Sequence, residues 1–142
     1  MNEYATNLSA LLPDRWPSEA NNRLLLFVIR RVAACGLNDA HVTNALMASF
    51  GLAYRRPLIL LRALMAELSR VSVCKIRVAP CCCPRMTAAE ATMLVAVSHG
   101  IEDPHDAHDM LCDMLGVDNC LGVLSSAQAL SQAFADLGRP LH

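Results

Sequence analysis

Apolar residues recur at helical spacing through most of the chain, and glycine and proline divide them into separate segments. After Pro57, for example, apolar side chains fall three or four residues apart, at Leu58, Leu61, Leu64, Met65 and Leu68. This spacing places them on one face of an amphipathic helix. The pattern predicts an all-α protein, a bundle of five to six helices.

Capping residues assign the helix ends. Gly36 and Gly51 follow the first two predicted helices, which cover about residues 20–35 and 39–50. Pro57 suits the first turn of a third helix, and Asp103-Pro104 suits the start of a fifth. Capping boxes at Thr87–Glu90 and Ser125–Gln128 predict the starts of the fourth and last helices.

One segment departs from helical spacing. Val71 and Val73, then Ile76 and Val78, alternate with more polar residues, which predicts a short strand near residues 73–79. A lone strand would leave backbone groups unpaired, so it must pair with another segment or with its copy in a second subunit. Partly on this ground we expect a homodimer.

Two units are predicted along the chain, an N-terminal arm over 1–19 and a single helical domain over 20–142. Pro13 and Pro17 flank Trp16 in the arm, where helical periodicity is weak. No apolar run reaches the roughly 20 residues of a membrane-spanning helix, so no membrane partner is expected. The acidic N-terminus also lacks the basic start and apolar stretch of a secretory signal.

Charge is unevenly distributed, although the 142 residues carry a net charge of only −1. Residues 23–85 hold ten basic and two acidic side chains, whereas 86–142 hold eight acidic and one basic. This asymmetry indicates either mutual attraction of the halves or a polyanionic partner. We favour internal attraction because the acidic half would repel a nucleic acid.

The seven cysteines include three adjacent ones, Cys81, Cys82 and Cys83. An odd count with this spacing does not resemble the disulfide framework of a secreted domain, so we expect reduced thiols in the cytoplasm. The triple-cysteine loop (residues 80–86) precedes the fourth helix, and a helix start with a nearby arginine favours thiolate. Cys81 and Cys83 are therefore candidate metal ligands. A redox-active thiol and an inert turn are the alternatives.

A second candidate group is His105, His108 and Cys112, which lie at i, i+3 and i+7 of the fifth helix. Imidazole and thiolate together suit zinc or another soft transition metal. A tetrahedral site would result if Cys81 and Cys83 folded against this helix. The alternative is two exposed histidines and a buried cysteine.

Arg55, Arg56 and Arg85 are candidate anion-binding residues. Arg55 and Arg56 precede Pro57, where positive charge opposes the helix dipole unless an anion binds. That anion is either the acidic segment 102–113 or a phosphate ligand. Arg30 and Arg31 are expected to be mostly solvated.

Common enzyme motifs, including G-x-x-x-x-G-K, H-E-x-x-H and G-x-S-x-G, do not occur. We therefore expect a non-enzymatic cytoplasmic protein that binds or regulates, with a metal or small-ligand site near Cys81–Cys83. The alternatives are a thiol-based redox sensor or enzyme and nucleic-acid binding through the basic half.

Four stretches are similar to an uncharacterised bacterial family described only as a domain of unknown function. They are G36-L-N-D, R55-R-P-L, L137-G-R-P-L and, most specifically, A79-P-C-C-C-P-R-M-T. The resemblance covers about residues 20–142. It implies a bacterial cytoplasmic origin and carries no activity, cofactor or functional residue.

Overall fold

The computed structural model describes residues 14–142 and shows a helical bundle with one small antiparallel sheet. The first thirteen residues of the predicted arm lie outside this range. The elements in chain order are β1 (Asp14–Arg15), α1 (Ala20–Cys35), α2 (Ala40–Phe50), a 3₁₀ turn (Gly51–Ala53), α3 (Arg55–Val71), β2 (Arg85–Met86), α4 (Ala88–His99), α5 (Pro104–Leu115) and α6 (Leu121–Asp136). The all-α fold class is confirmed.

The capping chemistry at the start of α4 is present as predicted. The Thr87 hydroxyl accepts a hydrogen bond from the Glu90 backbone N–H, and the Glu90 carboxylate accepts one from the Thr87 N–H. This reciprocal pair satisfies two N–H groups that the first turn of a helix leaves free.

The predicted start of the last helix was wrong. Cys120 caps α6, which begins at Leu121, so Ser125 lies inside the helix. Gln128 does not close a capping box there, because its side-chain amide donates to the Gly100 carbonyl, 2.9 Å away. The S-x-x-Q pattern is therefore a helix-interior sequence that ties α6 to the end of α4.

Helices α3 and α6 pack closely and run antiparallel. Arg56 at the start of α3 meets Asp136 at the end of α6, while Glu67, late in α3, lies against Gly122 at the start of α6. Helices α4 and α5 form a second close pair, and α1 contacts α2, α3 and α4. The core between them is built from apolar side chains such as Leu25, Ile29 and Leu61.

The segment predicted as a strand near 73–79 is irregular, and β1 and β2 lie elsewhere. The alternation is visible in burial, because Ile76 and Val78 pack against the core while Lys75 and Arg77 are exposed. Within residues 14–142 no strand pairs with this segment. Side-chain alternation alone does not create a ladder of backbone hydrogen bonds, and the strand-pairing argument for a dimer loses its basis.

Arg30 is buried, contrary to the expectation that it is solvated. Its side chain is 1% exposed and its guanidinium binds the carboxylate of Glu90, which is 0% exposed, with Nε 2.6 Å from Oε2. It also donates to the backbone carbonyls of Cys83 and Arg85, and it lies under the Trp16 ring. Arg30 therefore fixes the triple-cysteine loop to α1 and α4.

Candidate metal centre

His108, Cys112 and Cys120 form a cluster in which one potential ligand atom from each residue lies within 4.8 Å of the others. Within residues 14–142, this is the one group of three His, Cys, Asp or Glu residues that meets this condition. His108 and Cys112 are one turn apart on α5, so their side chains project from the same face. Cys120 joins them from the N-terminus of α6.

Gly116 makes this meeting of α5 and α6 geometrically feasible. It ends α5 in the left-handed conformation, with φ 72° and ψ 33°, and its N–H donates to the Cys112 carbonyl. Val117 N–H donates to the same carbonyl. This reversal turns the chain back, so that after a short loop Cys120 returns beside the last turns of α5.

The distances within the cluster are short. The Sγ atoms of Cys112 and Cys120 are 3.3 Å apart. Cys112 Sγ lies 3.6 Å from His108 Nε2 and 3.7 Å from Nδ1. The backbone N–H of Cys120 donates to Nε2 over 3.2 Å, which makes Nε2 the unprotonated nitrogen of a neutral ring.

The surroundings of Cys120 favour its protonated thiol when no metal is bound. Burial, followed by the interaction with Cys112, raises the pKa of Cys120 to about 12. Cys112 is 8% exposed and Cys120 3%, whereas the His108 side chain reaches the surface. Asp109 Oδ1 lies 3.9 Å from His108 Nδ1, where a carboxylate can orient the ring.

His105 does not join the cluster. It lies in the first turn of α5, its side chain is 88% exposed, and its Nε2 is 3.8 Å from Asp109 Oδ2. A separation of seven residues carries it about 10 Å along the helix axis from Cys112. The i, i+3, i+7 spacing thus places the three side chains on one face of the helix. Only neighbouring residues on that face, such as His108 and Cys112, are close enough to bind one ion.

Cys81 and Cys83 also lie outside the cluster. Both are half-buried in a turn whose carbonyls bind Arg30, and Cys82 is exposed. Arg31, next to Arg30 on α1, pairs with Asp39. The loop packs against α1 and not, as the predicted tetrahedral site required, against α5.

The three predicted anion-binding arginines lie on two elements, with Arg55 and Arg56 at the start of α3 and Arg85 in β2. Arg56 Nη1 pairs with Asp136 Oδ2 at 2.9 Å, so its acidic partner is at the end of α6 and not in the segment 102–113. The Arg55 guanidinium lies over the Tyr54 ring. Arg85 is exposed in β2, opposite Arg15. An external anion at these residues stays a prediction.

Cys120 is the member of the cluster that the sequence analysis missed. Because the last helix was predicted to begin at Ser125, Cys120 fell in a loop whose location the sequence did not predict. A usable signal was present, because Gly116 follows the periodic stretch of α5 and marks a reversal. A cysteine four residues after that glycine can return to a cysteine four residues before it.

A cavity of about 390 Å³ lies beside the triple-cysteine loop, between the irregular segment 75–80 and the start of α4. Ile76, Val78 and Met114 contribute its apolar wall, and none of the three adjacent cysteines lines it. Any small ligand at this place would therefore contact the segment before the loop.

The fold and the site define a small helical-bundle protein with a largely buried His-Cys-Cys cluster between α5 and the N-terminus of α6. No functionally curated protein and no solved structure matches the chain. A family model, described as a family of unknown function (DUF6628), matches residues 4–138. The chain belongs to that family.

Proposed function

We propose that this protein is a non-enzymatic metal-binding protein that holds zinc, or another soft transition metal, at His108, Cys112 and Cys120. The observation that carries the proposal is the convergence of the three side chains within 4.8 Å. Two thiolates and an imidazole are the ligand set that zinc accepts most readily.

The distances are near those that such an ion requires, although the Sγ–Sγ distance is shorter by a few tenths of an ångström. With Zn–S near 2.3 Å and Zn–N near 2.0 Å, tetrahedral geometry places ligand atoms roughly 3.5 to 3.8 Å apart. The Cys112 Sγ–His108 Nε2 distance is 3.6 Å and the Sγ–Sγ distance is 3.3 Å. Little more than side-chain rotation is needed, chiefly of the imidazole, whose Nε2 must give up its hydrogen bond from Cys120 N–H.

Three protein ligands leave one position open in a four-coordinate site. Among residues 14–142 no fourth His, Cys, Asp or Glu side chain completes the cluster. A water molecule or a donor from a binding partner can fill that position. This arrangement supports a regulatory protein whose partner contacts depend on the ion.

Thiolate ligation requires reduced cysteines, so we place the protein in a reducing compartment, the cytoplasm. No helix within residues 14–142 combines the length and apolar character that a bilayer crossing needs. Nucleic-acid binding has no part in the proposal because Arg30 and Arg56, from the basic half, pair with acidic residues of the other half.

The test is metal binding by single-cysteine variants. Protein purified without chelator is analysed for bound metal, then stripped and titrated with zinc against a chromogenic competitor. We expect one zinc per chain, and we expect Cys112→Ser and Cys120→Ser each to weaken binding by more than the roughly 10- to 100-fold typical of changes around a ligand set.

Cys82→Ser is the matched control, because Cys82 is an exposed cysteine of the triple-cysteine loop. It should bind zinc like the unmodified protein. Cobalt substitution provides a second readout, since thiolate ligation gives intense near-ultraviolet charge-transfer absorption. Zinc affinity that is unchanged in Cys112→Ser and Cys120→Ser would contradict the proposal.

A further inference from the structure

Cys112 and Cys120 are placed for reaction with each other as well as with a metal. Their Sγ atoms are 3.3 Å apart, and a disulfide needs about 2.05 Å. Cys112 lies in the last turn of α5 and Cys120 just outside α6, with the loop 116–119 between the helices. Small rotations of two side chains, next to a loop that can adjust, are sufficient to close the bond.

We propose that Cys112 and Cys120 form a redox couple whose oxidation to a disulfide expels the bound metal. The release of metal rests on the function proposed above, whereas disulfide formation does not. Each thiolate binds the ion through an electron pair on its sulfur. Oxidation to a disulfide removes two electrons from these same two sulfurs, which then no longer carry the charge that binds the ion. Metal binding and oxidation are therefore mutually exclusive at this site.

The oxidant is a hydroperoxide, of which hydrogen peroxide is the simplest. One thiolate attacks a peroxide oxygen, the O–O bond breaks, and a sulfenic acid forms with release of hydroxide. The second thiol attacks that sulfur as it gives up its proton, the S–S bond forms, and the S–O bond breaks with release of water. The hydroxide from the first step takes up one proton, so one thiolate, one thiol and one peroxide yield one disulfide and two waters.

The site can be reached by such a small oxidant. His108 is partly exposed and lies beside the Cys112 sulfur, and Cys112 is the more exposed of the two cysteines. Cys112 is therefore the residue that peroxide meets first, and Cys120 is the resolving thiol. Once the disulfide has formed, His108 Nε2 is again available to accept the Cys120 N–H.

The experiment uses a variant in which the other five cysteines are replaced by serine: Cys35, Cys74, Cys81, Cys82 and Cys83, all exposed or half-buried. Metal-free protein is treated with hydrogen peroxide, alkylated, digested and analysed by mass spectrometry. We expect a disulfide-linked pair of peptides containing Cys112 and Cys120. A fully alkylated product, or sulfinic acid without disulfide, would overturn the couple.

The same variant loaded with zinc then tests release. Peroxide should free one zinc per disulfide formed, detected with a chromogenic chelator, and dithiothreitol should restore binding. Zinc that stays bound while the disulfide forms would overturn mutual exclusion.

His108→Asn separates this inference from the metal site. It keeps both thiols, so it should still form the disulfide although its zinc affinity falls. A disulfide in protein that never binds zinc would sink the proposed function and leave the thiol couple standing. Tight zinc binding without any disulfide would sink the couple alone.

Discussion

At the scale of single residues, the Cys120 thiol shows how burial prepares a ligand. Its side chain is nearly inaccessible and faces Cys112, so its pKa rises from 9.0 to about 12. A metal-free thiol of this kind stays protonated at neutral pH and reacts slowly. A bound cation reverses that preference, and metal binding must therefore release a proton from Cys120.

The raised pKa of Cys120 predicts a loss of stability in alkali for the metal-free, reduced protein. The folded form keeps the thiol proton to about pH 12, whereas the unfolded chain loses it near 9.0. This contribution to stability is therefore complete below pH 9 and disappears as pH rises towards 12.

Thermal unfolding between pH 8 and 11 measures this loss. Cys120→Ala should show a shallower decline in Tm than the unmodified protein, while Cys82→Ala should follow the unmodified curve. Parallel curves for all three proteins would refute the assignment to Cys120.

At the scale of elements, the turn between α5 and α6 determines whether the site exists. Gly116 has φ 72°, and a Cβ there would lie 2.5 Å from Cys74 Sγ. Gly36, which ends α1, also has a positive φ of 97°, yet its Cβ would meet no atom within 4 Å. At Gly116 a side chain would therefore meet a steric contact as well as a positive φ.

Gly116→Ala should destabilise the protein by about 1–3 kcal/mol through overpacking against Cys74, beyond the strain of the left-handed backbone. Urea unfolding of the metal-free proteins gives the difference from the unmodified protein. Gly116→Ala should also weaken zinc binding, which Gly36→Ala should not. A total loss no larger than the ~1–2 kcal/mol of left-handed strain would show that Cys74 yields freely.

Most elements of this fold could be predicted from the sequence because their boundaries are local. Gly36 and the Thr87–Glu90 box interact with their own helix ends. The site depended on tertiary structure instead. Cys120 lies beside Cys112 because the chain reverses between them. Ser125 and Gln128 match the sequence pattern of a capping box but lie inside α6, which begins at Leu121. No spacing rule distinguishes these cases.

At the scale of the whole molecule, the uneven charge distribution is partly resolved inside the fold. Arg30 and Glu90 join the basic and acidic halves in the interior, and Arg56 and Asp136 join them at the surface. The exposed pair contributes little to the free energy of unfolding, as is usual for ion pairs at the surface. The buried pair leaves a charge without compensation if either partner is removed.

Arg30→Met should lower the free energy of unfolding by about 3–5 kcal/mol, because Glu90 and two carbonyls lose their partner. Arg23→Met, at an exposed position of the same helix, should change it by less than about 0.5 kcal/mol. Adding Glu90→Gln to Arg30→Met should recover part of the loss, since the buried charge is gone. Urea denaturation of the four proteins measures all three differences.

The hydrogen bonds of Arg30 to the carbonyls of Cys83 and Arg85 have a consequence for sequence variation in the triple-cysteine loop. Arg30 recognises main-chain oxygens, which every amino acid provides. The loop should therefore accept exchanges of its sulfur-bearing side chains, yet tolerate neither insertion nor deletion between those two oxygens. Chain length is constrained at this position, while side-chain identity remains open to change.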